Sequence, residues 1–197
     1  MCDYGGVLTT NVFESFRAFC RGEGLEPDAL KDLVVGRPDF VAELRKLERG
    51  QVAESEFSQT LATELGITPR EDLVNRLFST MSPDDDMICA VRNARSRGVR
   101  TGLVSNSWGT QRYDRQALSE LFDTIVISGE VGLHKPEPDI YWLAAGRLGV
   151  EPTACVFVDD LRENCEGAEA VGMVSVLHRG AVQTIAELER LFEAGLS

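Results

Sequence analysis

The chain has 197 residues, 43% of them hydrophobic and 26% charged, a composition that supports a folded core and excludes a disordered chain. Its 20 Lys+Arg against 32 Asp+Glu give a formal net charge of −12, which argues against nucleic acid, because phosphate backbones are bound by clustered lysine and arginine. A small phosphorylated ligand is compatible with this charge, whereas no apolar run approaches the roughly 18 residues of a membrane span.

Residues 11–82 show only helical periodicity. Asn11 can cap a helix in which Glu14 stands three residues on, as in a capping box. Apolar stripes at helical spacing then recur and are separated by glycines, which predicts four or five short helices packed as a small bundle. The stripes are Phe13/Phe16/Phe19/Cys20, Leu30/Leu33/Val34, Phe40/Val41/Leu44/Leu47, Phe57/Leu61/Leu65 and Leu73/Val74/Leu77/Phe78.

After Pro83, short β-branched apolar runs alternate with helical patterns. Continuous apolar runs suit strands that are buried on both faces of a parallel sheet. Thr184 and Glu187 form a second capping-box pattern, at the start of the last helix. The alternation predicts an α/β fold with a Rossmann-like doubly wound parallel sheet, in which 1–10 and 83–197 form the core domain and 11–82 an inserted helical cap. The predicted strands are 100–104, 124–127, 154–158 and 173–177, and the predicted helices 85–97, 111–121, 138–148, 163–171 and 185–192.

Polar side chains follow the predicted strands at their carboxyl ends, where ligands bind in sheets of this kind. A hydroxyl, an ammonium and several carboxylates would therefore converge on one edge. A carboxylate can act as a nucleophile, Mg²⁺ prefers oxygen ligands, and hydroxyl, amide and ammonium groups can hold phosphoryl oxygens. The groups at this edge are Asp3, Gly5, Gly6, Ser105, Asn106, Lys135, Asp159 and Asp160.

Four short motifs in this order resemble those of the haloacid dehalogenase superfamily. They read Asp-x-x-Gly-Val-Leu-Thr from Asp3, Leu-Val-Ser-Asn to Asn106, Gly-Leu-His-Lys-Pro-Glu-Pro around Lys135, and Phe-Val-Asp-Asp-x-x-x-Asn to Asn164. The helical insert after the first motif is similar to the C1-type cap of that superfamily. The resemblance is strongest to phosphatases related to the N-terminal domain of soluble epoxide hydrolases, and it covers essentially the whole chain.

This resemblance implies a magnesium site and a nucleophile. Asp3 would be the nucleophile and a Mg²⁺ ligand. The Gly5 carbonyl and the Asp159 carboxylate would be further ligands, with Asp160 binding directly or through water. Asn164 would steady the metal-binding loop from outside the ligand set.

The resemblance also implies a phosphate-binding set. Ser105 and the Asn106 amide would bind the phosphoryl group, together with the glycine loop of Gly5 and Gly6. Lys135 would offset negative charge on the nucleophile and the phosphate. The expected reaction is hydrolysis of a small phosphorylated metabolite through an aspartyl-phosphate, under a cap that excludes water and selects the substrate.

Two features depart from the family pattern. Superfamily phosphatases usually carry Asp two residues after the nucleophile as the acid for the leaving group, and here that position is Gly5. The family also has an apolar strand before the nucleophile, where this chain has only Met1 and Cys2. Loss of that strand would leave its neighbours unpaired, so we expect the natural product to extend beyond Met1.

Three alternatives stay open at this point. A metal-independent dehalogenase would use the same aspartate, although its relatives carry an aromatic residue at the position of Gly5. A phosphonatase needs a cap lysine for a Schiff base, for which Lys31 and Lys46 are the candidates. A catalytically impaired protein with a binding or regulatory role would fit Gly5 and the shortened first strand.

Several other polar residues have simpler interpretations. The acidic run that begins at Asp84 is expected to cap a helix rather than to bind metal. His134 and His178 are not expected to be catalytic, and Trp108 and Tyr113 could contact either the substrate or the cap. Five cysteines without a C-x-x-C pair suit reduced thiols, so we expect a cytoplasmic monomer or homodimer with no membrane or nucleic-acid partner.

Overall fold

The computed structural model describes residues 1–68 and 72–193. Its strands are β1 (Gly102–Ser105), β2 (Thr124–Ile127), β3 (Val156–Asp159) and β4 (Val174–Leu177). β1 pairs in parallel with β2, and β3 in parallel with β4. All four lie where the continuous apolar runs predict them, and the parallel pairing confirms the α/β fold class.

The first three residues join the two strand pairs. Cys2 forms parallel bridges to Leu103 on one side and to Val158 on the other. The Cys2 N–H donates to Gly102 O at 2.9 Å, and the Asp3 N–H donates to Val158 O at 2.9 Å. The pairing expected to be missing is therefore present at the end of the sheet where Asp3 lies, because residues 1–3 suffice to bond both neighbours there.

In the described part of the segment before Pro83, the structure has five helices. Asn11 Oδ1 accepts hydrogen bonds from Phe13 N and Glu14 N, which confirms the predicted cap of the first helix. The helices bury a separate apolar cluster that includes Phe40 and Phe57, so we propose that residues 11–82 are the cap. They are α1 (Val12–Gly22), α2 (Ala29–Gly36), α3 (Pro38–Glu48), α4 (Glu54–Leu65) and α5 (Leu73–Leu77).

The remaining helices cover both faces of the sheet. One apolar cluster packs Leu103 and Val158 against Met87 and Leu118. A second cluster, on the opposite face, packs Val104 against the helix at Pro138–Leu148. Successive strand residues thus enter different layers, as a doubly wound sheet requires. The helices are α6 (Asp85–Ser96), α7 (Arg115–Leu121), α8 (Ser128–Val131), α9 (Pro138–Leu148), α10 (Arg162–Ala170) and α11 (Ala181–Glu193).

Some helix starts differ from the sequence prediction. α11 begins at Ala181, so Thr184 lies inside the helix and the predicted capping box with Glu187 is wrong. Instead, Thr184 Oγ1 lies 3.0 Å from His178 Nδ1. α7 begins only at Arg115, and the short α8 was not predicted. In the described ranges, no helix combines the length and the apolarity needed to cross a bilayer.

Candidate active site

Three carboxylates meet at the carboxyl ends of neighbouring strands. Asp3 follows Cys2, which bridges β1 and β3, Asp159 is the last residue of β3, and Asp160 follows it. Oxygen atoms from the three side chains lie within 4.8 Å of one another. The Asp159 side chain is fully buried and that of Asp3 is 13% exposed. The sheet therefore brings together acids that are far apart in the sequence.

Lys135 links two of these acids. Its Nζ lies 2.8 Å from Asp3 Oδ1 and 2.7 Å from Asp159 Oδ2, and its side chain is fully buried. Burial alone would lower the pKa of Lys135, but the two carboxylates outweigh it and hold the pKa above its ordinary value. Lys135 therefore remains an ammonium ion in the buried site.

The Asn106 side chain holds the backbone of Lys135. Asn106 Nδ2 donates to Lys135 O at 3.0 Å, and Lys135 N donates to Asn106 Oδ1 at 2.9 Å. Sequence reasoning placed both residues at the site but missed this reciprocal pair. Because the side-chain amide is engaged in this way, a phosphoryl contact by Asn106 would fall to its main-chain N–H.

The Ser105 hydroxyl forms a hydrogen bond with the hydroxyl of a buried tyrosine. Ser105 Oγ is 2.9 Å from Tyr113 OH, and burial raises the pKa of Tyr113 to about 12, so the phenol keeps its proton. The Tyr113 ring packs on Tyr4 with centroids 5.1 Å apart. The sequence left substrate and cap as alternative contacts of Tyr113, and the contact with the Ser105 hydroxyl is neither of them. Trp108 instead packs on cap rings, among them Phe78.

Hydrogen bonds from the following loop and helix orient the Asp159 carboxylate. Its Oδ1 accepts from Leu161 N at 2.9 Å and from Asn164 Nδ2 at 3.0 Å. Tyr141 OH in turn donates to Asn164 O at 2.7 Å. The remaining oxygen of Asp159 bonds Lys135. The carboxylate is thus held in one orientation, in part by the Asn164 side chain.

The site holds more negative charge than its ammonium offsets. Burial raises the pKa of Asp3 to about 7, with repulsion from Asp159 and Asp160 adding to the effect and Lys135 opposing it. Burial and Asp159 raise the pKa of Asp160 to about 6. Asp3 Oδ1 is also buried without a hydrogen bond of good geometry among the described residues. A divalent cation would relieve both features, so these donors fit Mg²⁺.

Two glycines shape the loop after Asp3. Gly6 has φ +76°, and a Cβ at this position would lie 2.4 Å from Asp160 Oδ2, so the close approach requires glycine. A Cβ at Gly5 would lie 3.0 Å from Val12 Cγ2. The position where the family carries its acid is therefore tightly packed against the first cap helix.

A cleft of about 1140 Å³ opens between the cap and the strand ends. Asp3, Ser105, Lys135 and Asp160 line its core side, and apolar residues such as Phe16 line its cap side. The other polar residues raised by the sequence have structural contacts. Asp84 Oδ1 caps α6 by accepting from Met87 N at 3.0 Å, as predicted, and His178 is buried beside Thr184.

The chain is similar in sequence to hydrolases of one family. A sequence model of the haloacid dehalogenase-like hydrolases matches residues 2–172. The chain is 29% identical over 127 residues to the bifunctional epoxide hydrolase 2 of Rattus norvegicus, covering 61% of this chain and 23% of that protein. It is 35% identical over 111 residues to the glyceraldehyde 3-phosphate phosphatase of Methanopyrus kandleri, covering 54% of this chain and 48% of that protein. The alignments thus span less than half of either relative.

The fold agrees with a solved structure. A haloacid dehalogenase family enzyme from Bacteroides thetaiotaomicron, crystallised as a magnesium complex, superposes with a TM-score of 0.68 at 19% identity. The superposition covers 96% of this chain and 96% of that one. At this identity the likeness establishes the fold, and it confirms the architecture expected from the four motifs.

Proposed function

Because this chain belongs to the haloacid dehalogenase-like hydrolase family, we propose that it is a Mg²⁺-dependent phosphatase of a small phosphorylated metabolite. The observation that carries the proposal is the cluster of Asp3, Asp159 and Asp160, with Lys135 forming ion pairs with the first two. The relative from M. kandleri is named for a phosphorylated triose, and the solved B. thetaiotaomicron enzyme binds magnesium. Both names support the proposal for this chain.

In the proposed reaction, a carboxylate oxygen of Asp3 attacks the phosphorus atom of the substrate. A bond forms between Asp3 and phosphorus while the bond from phosphorus to the alcohol oxygen breaks, which leaves an aspartyl-phosphate. The departing oxygen takes a proton from solvent. Water then attacks this phosphorus, loses a proton to solvent and breaks the bond to Asp3, which releases inorganic phosphate and regenerates the Asp3 carboxylate. Lys135 opposes the rise in the pKa of Asp3 and so favours the ionised, nucleophilic form.

We propose that the side chains of Asp3, Asp159 and Asp160 and the carbonyl of Gly5 would hold Mg²⁺. When bound, the ion would offset the negative charge of the carboxylates and of the phosphoryl group. Asn164 would keep Asp159 oriented for this role through the bond at 3.0 Å.

The phosphoryl group itself would be bound by a second set of groups. Ser105 Oγ and the main-chain N–H groups of Asn106 and Gly5 are the proposed donors. The Gly6 N–H already donates to Thr9 Oγ1 at 3.0 Å, so Gly6 would contribute the shape of the loop instead. The ammonium group of Lys135 would offset negative charge on the phosphoryl group. The Ser105 hydroxyl is already oriented by Tyr113, so it reaches the substrate without losing side-chain freedom on binding.

The leaving group receives no proton from residue 5. Loss of a general acid typically reduces the rate by about 10²–10⁴-fold. Esters whose leaving group is stable as an anion escape most of this loss. We therefore propose a preference for good leaving groups, such as a sugar 1-phosphate, over simple alkyl phosphates.

A direct test is phosphate release from an aryl phosphate in Mg²⁺ buffer. The native protein should turn over, whereas Asp3→Asn should lose all measurable activity, and EDTA should suppress the native rate. Asp86→Asn, which removes an exposed charge from α6, serves as the matched control and should retain full activity. Equal rates in the Asp3→Asn variant would refute the nucleophile.

A second candidate is a binding protein without turnover, favoured by glycine at position 5. In that case the folded native protein would bind phosphate and Mg²⁺ in calorimetry but would release no phosphate from any ester. Such a result would replace the phosphatase proposal with this second one.

A further inference from the structure

Arg112 stands apart from the proposed phosphate site but lines the same cleft. It precedes Tyr113, whose hydroxyl is 2.9 Å from Ser105 Oγ. The Arg112 side chain is only 17% exposed. Its Cζ lies 4.3 Å from the centroid of the Phe78 ring. A cation is therefore held against an aromatic wall of the cleft.

The guanidinium of Arg112 leaves most of its donors unused. Nη2 donates to the carbonyl of Trp108 and forms an ion pair with Glu54 Oε2 at 3.6 Å, a separation too long for a hydrogen bond. Nε and Nη1 are buried and bond to no acceptor among residues 1–68 and 72–193. A buried donor without a partner destabilises the folded protein, and more so in a charged group. A bound acceptor would remove that cost.

The other cations that line the cleft outside the proposed phosphate site have partners for their N–H groups. Arg17 is already paired with Glu14 and Asp28, at 2.6 and 2.8 Å. Lys31 and Arg45 are exposed, so water can satisfy their donors. Of these cations, only Arg112 combines burial with free N–H groups.

The phosphoryl group does not need Arg112. Lys135, Ser105 and the proposed metal ligands already serve that end of the substrate, which leaves Arg112 available to the part that occupies the rest of the cleft. A planar guanidinium with unused donors suits carboxylate and phosphate oxygens, and it is less strongly hydrated than an ammonium. These properties match an anion on the leaving group rather than a hydroxyl.

We propose that Arg112 binds a second anionic group of the substrate, a carboxylate or a further phosphate, on the portion that departs with the ester oxygen. This inference rests on the proposed phosphatase function and narrows its substrate to phosphate esters with a second negative charge. Phe78 and the neighbouring rings would pack on the linking carbons of such a substrate.

Binding of stable phosphonates tests this independently of turnover. The probes are 4-carboxybenzylphosphonate, its carboxylate methyl ester and 1,4-xylylene bisphosphonate, titrated calorimetrically in Mg²⁺ buffer. We expect the native protein to bind one or both charged probes about tenfold more tightly than the ester, as one charge-assisted hydrogen bond allows. The better of the two charged probes distinguishes a carboxylate from a second phosphate.

Arg112→Gln should bring the affinities of all three probes to within about twofold of one another. The readout is the ratio of the affinities for a charged probe and the ester probe in one protein. Partial unfolding of a variant lowers the apparent affinities for all probes by the same factor, so it leaves this ratio unchanged. Arg115→Gln removes an exposed arginine three residues away that is outside the cleft, and it should keep the native ratio. Equal or absent binding of charged and ester probes by the native protein overturns the inference, as does an unchanged ratio in Arg112→Gln.

Parallel hydrolysis of 4-carboxyphenyl phosphate and its methyl ester separates this inference from the function beneath it. Binding preference without any hydrolysis would reject the phosphatase but keep the role of Arg112. Hydrolysis of both esters at equal kcat/KM, without a binding preference, would reject only the role of Arg112.

Discussion

The carboxylate of Glu48, the last residue of α3, lies 2.7 Å from Nε2 of His134, the residue immediately before Lys135. The other Glu48 oxygen accepts from Trp108 Nε1 at 3.0 Å. Glu48 and His134 are 9% and 7% exposed. A buried polar contact thus connects the end of a cap helix to the loop that carries the ammonium ion of the site.

Glu48→Ala should destabilise the protein and impair turnover together. The substitution leaves Trp108 Nε1–H and His134 buried without their acceptor, at a cost of about 1–3 kcal/mol in the free energy of unfolding. Chemical denaturation measures this loss. Glu43→Ala removes an exposed partner of Lys46 on the same helix and should change stability by less than about 0.5 kcal/mol. Equal stability of the two variants would contradict the role of this contact.

Mg²⁺ should raise the melting temperature of the native protein, because it binds the folded carboxylate cluster and neutralises its excess charge. At a concentration of 100 Kd the stabilisation would be about 2.7 kcal/mol. Asp160→Asn should raise the melting temperature in EDTA, by removing one repelling charge, and should weaken the response to Mg²⁺. Differential scanning fluorimetry with Asp86→Asn as control checks both signs. A Mg²⁺ response that Asp160→Asn leaves unchanged would contradict the proposed ligand set.

Restoring an acid at position 5 should accelerate hydrolysis of poor leaving groups. A side chain at Gly5 meets Val12 Cγ2 at 3.0 Å, so the acid needs space. We expect the double variant Gly5→Asp/Val12→Ala to hydrolyse alkyl phosphates faster than Val12→Ala alone, by up to about 10²–10⁴-fold. Aryl phosphates should gain much less, since their leaving groups need no proton. An equal gain for both classes would argue against general-acid catalysis at this position.

A carboxylate remote from the site should make stability depend on pH. The Asp123 carboxylate accepts from Thr101 N at 2.8 Å and pairs with Arg95 at 3.0 Å. The Thr101 N–H, more than Arg95, holds the pKa of Asp123 below its ordinary value in the folded chain. Its contribution is therefore present above the unfolded pKa of about 3.9 and is lost as pH falls through the lower folded value.

Asp123→Asn should accordingly lower the melting temperature at pH 7 by about 2–4 °C, as expected for a loss of about 1 kcal/mol. The difference from the native protein should shrink as pH is lowered below about 4. Thermal denaturation between pH 3 and pH 7 measures it. A difference that grows on acidification would contradict the depressed pKa.

The sequence predicted those parts of the molecule that depend on local patterns. The run at 124–127 is continuous and β-branched, and β2 occupies the same residues. Asp159 could be placed because residues after parallel strands meet at one edge of the sheet. Thr184 was misplaced because a local capping pattern there coincided with the interior of a helix that starts nearer Gly180.

The contacts that complete the site join residues with no local relationship. Asn106 and Lys135 are 29 positions apart, and Glu48 and His134 are 86 apart. Each pair forms only when the loops after different strands, or the cap, come together. The unused donors of Arg112 are equally invisible in sequence, since its burial depends on Phe78 and Trp108 packing around it.

The central claim is that Asp3 carries the phosphoryl group during turnover. Acid quenching during hydrolysis of an aryl phosphate, followed by borohydride reduction, converts an aspartyl-phosphate to homoserine at that residue. We predict homoserine at position 3 in the peptide mass spectrum of the native protein, dependent on both substrate and Mg²⁺. Steady phosphate release with an unmodified Asp3, or with homoserine at another aspartate, would contradict the account.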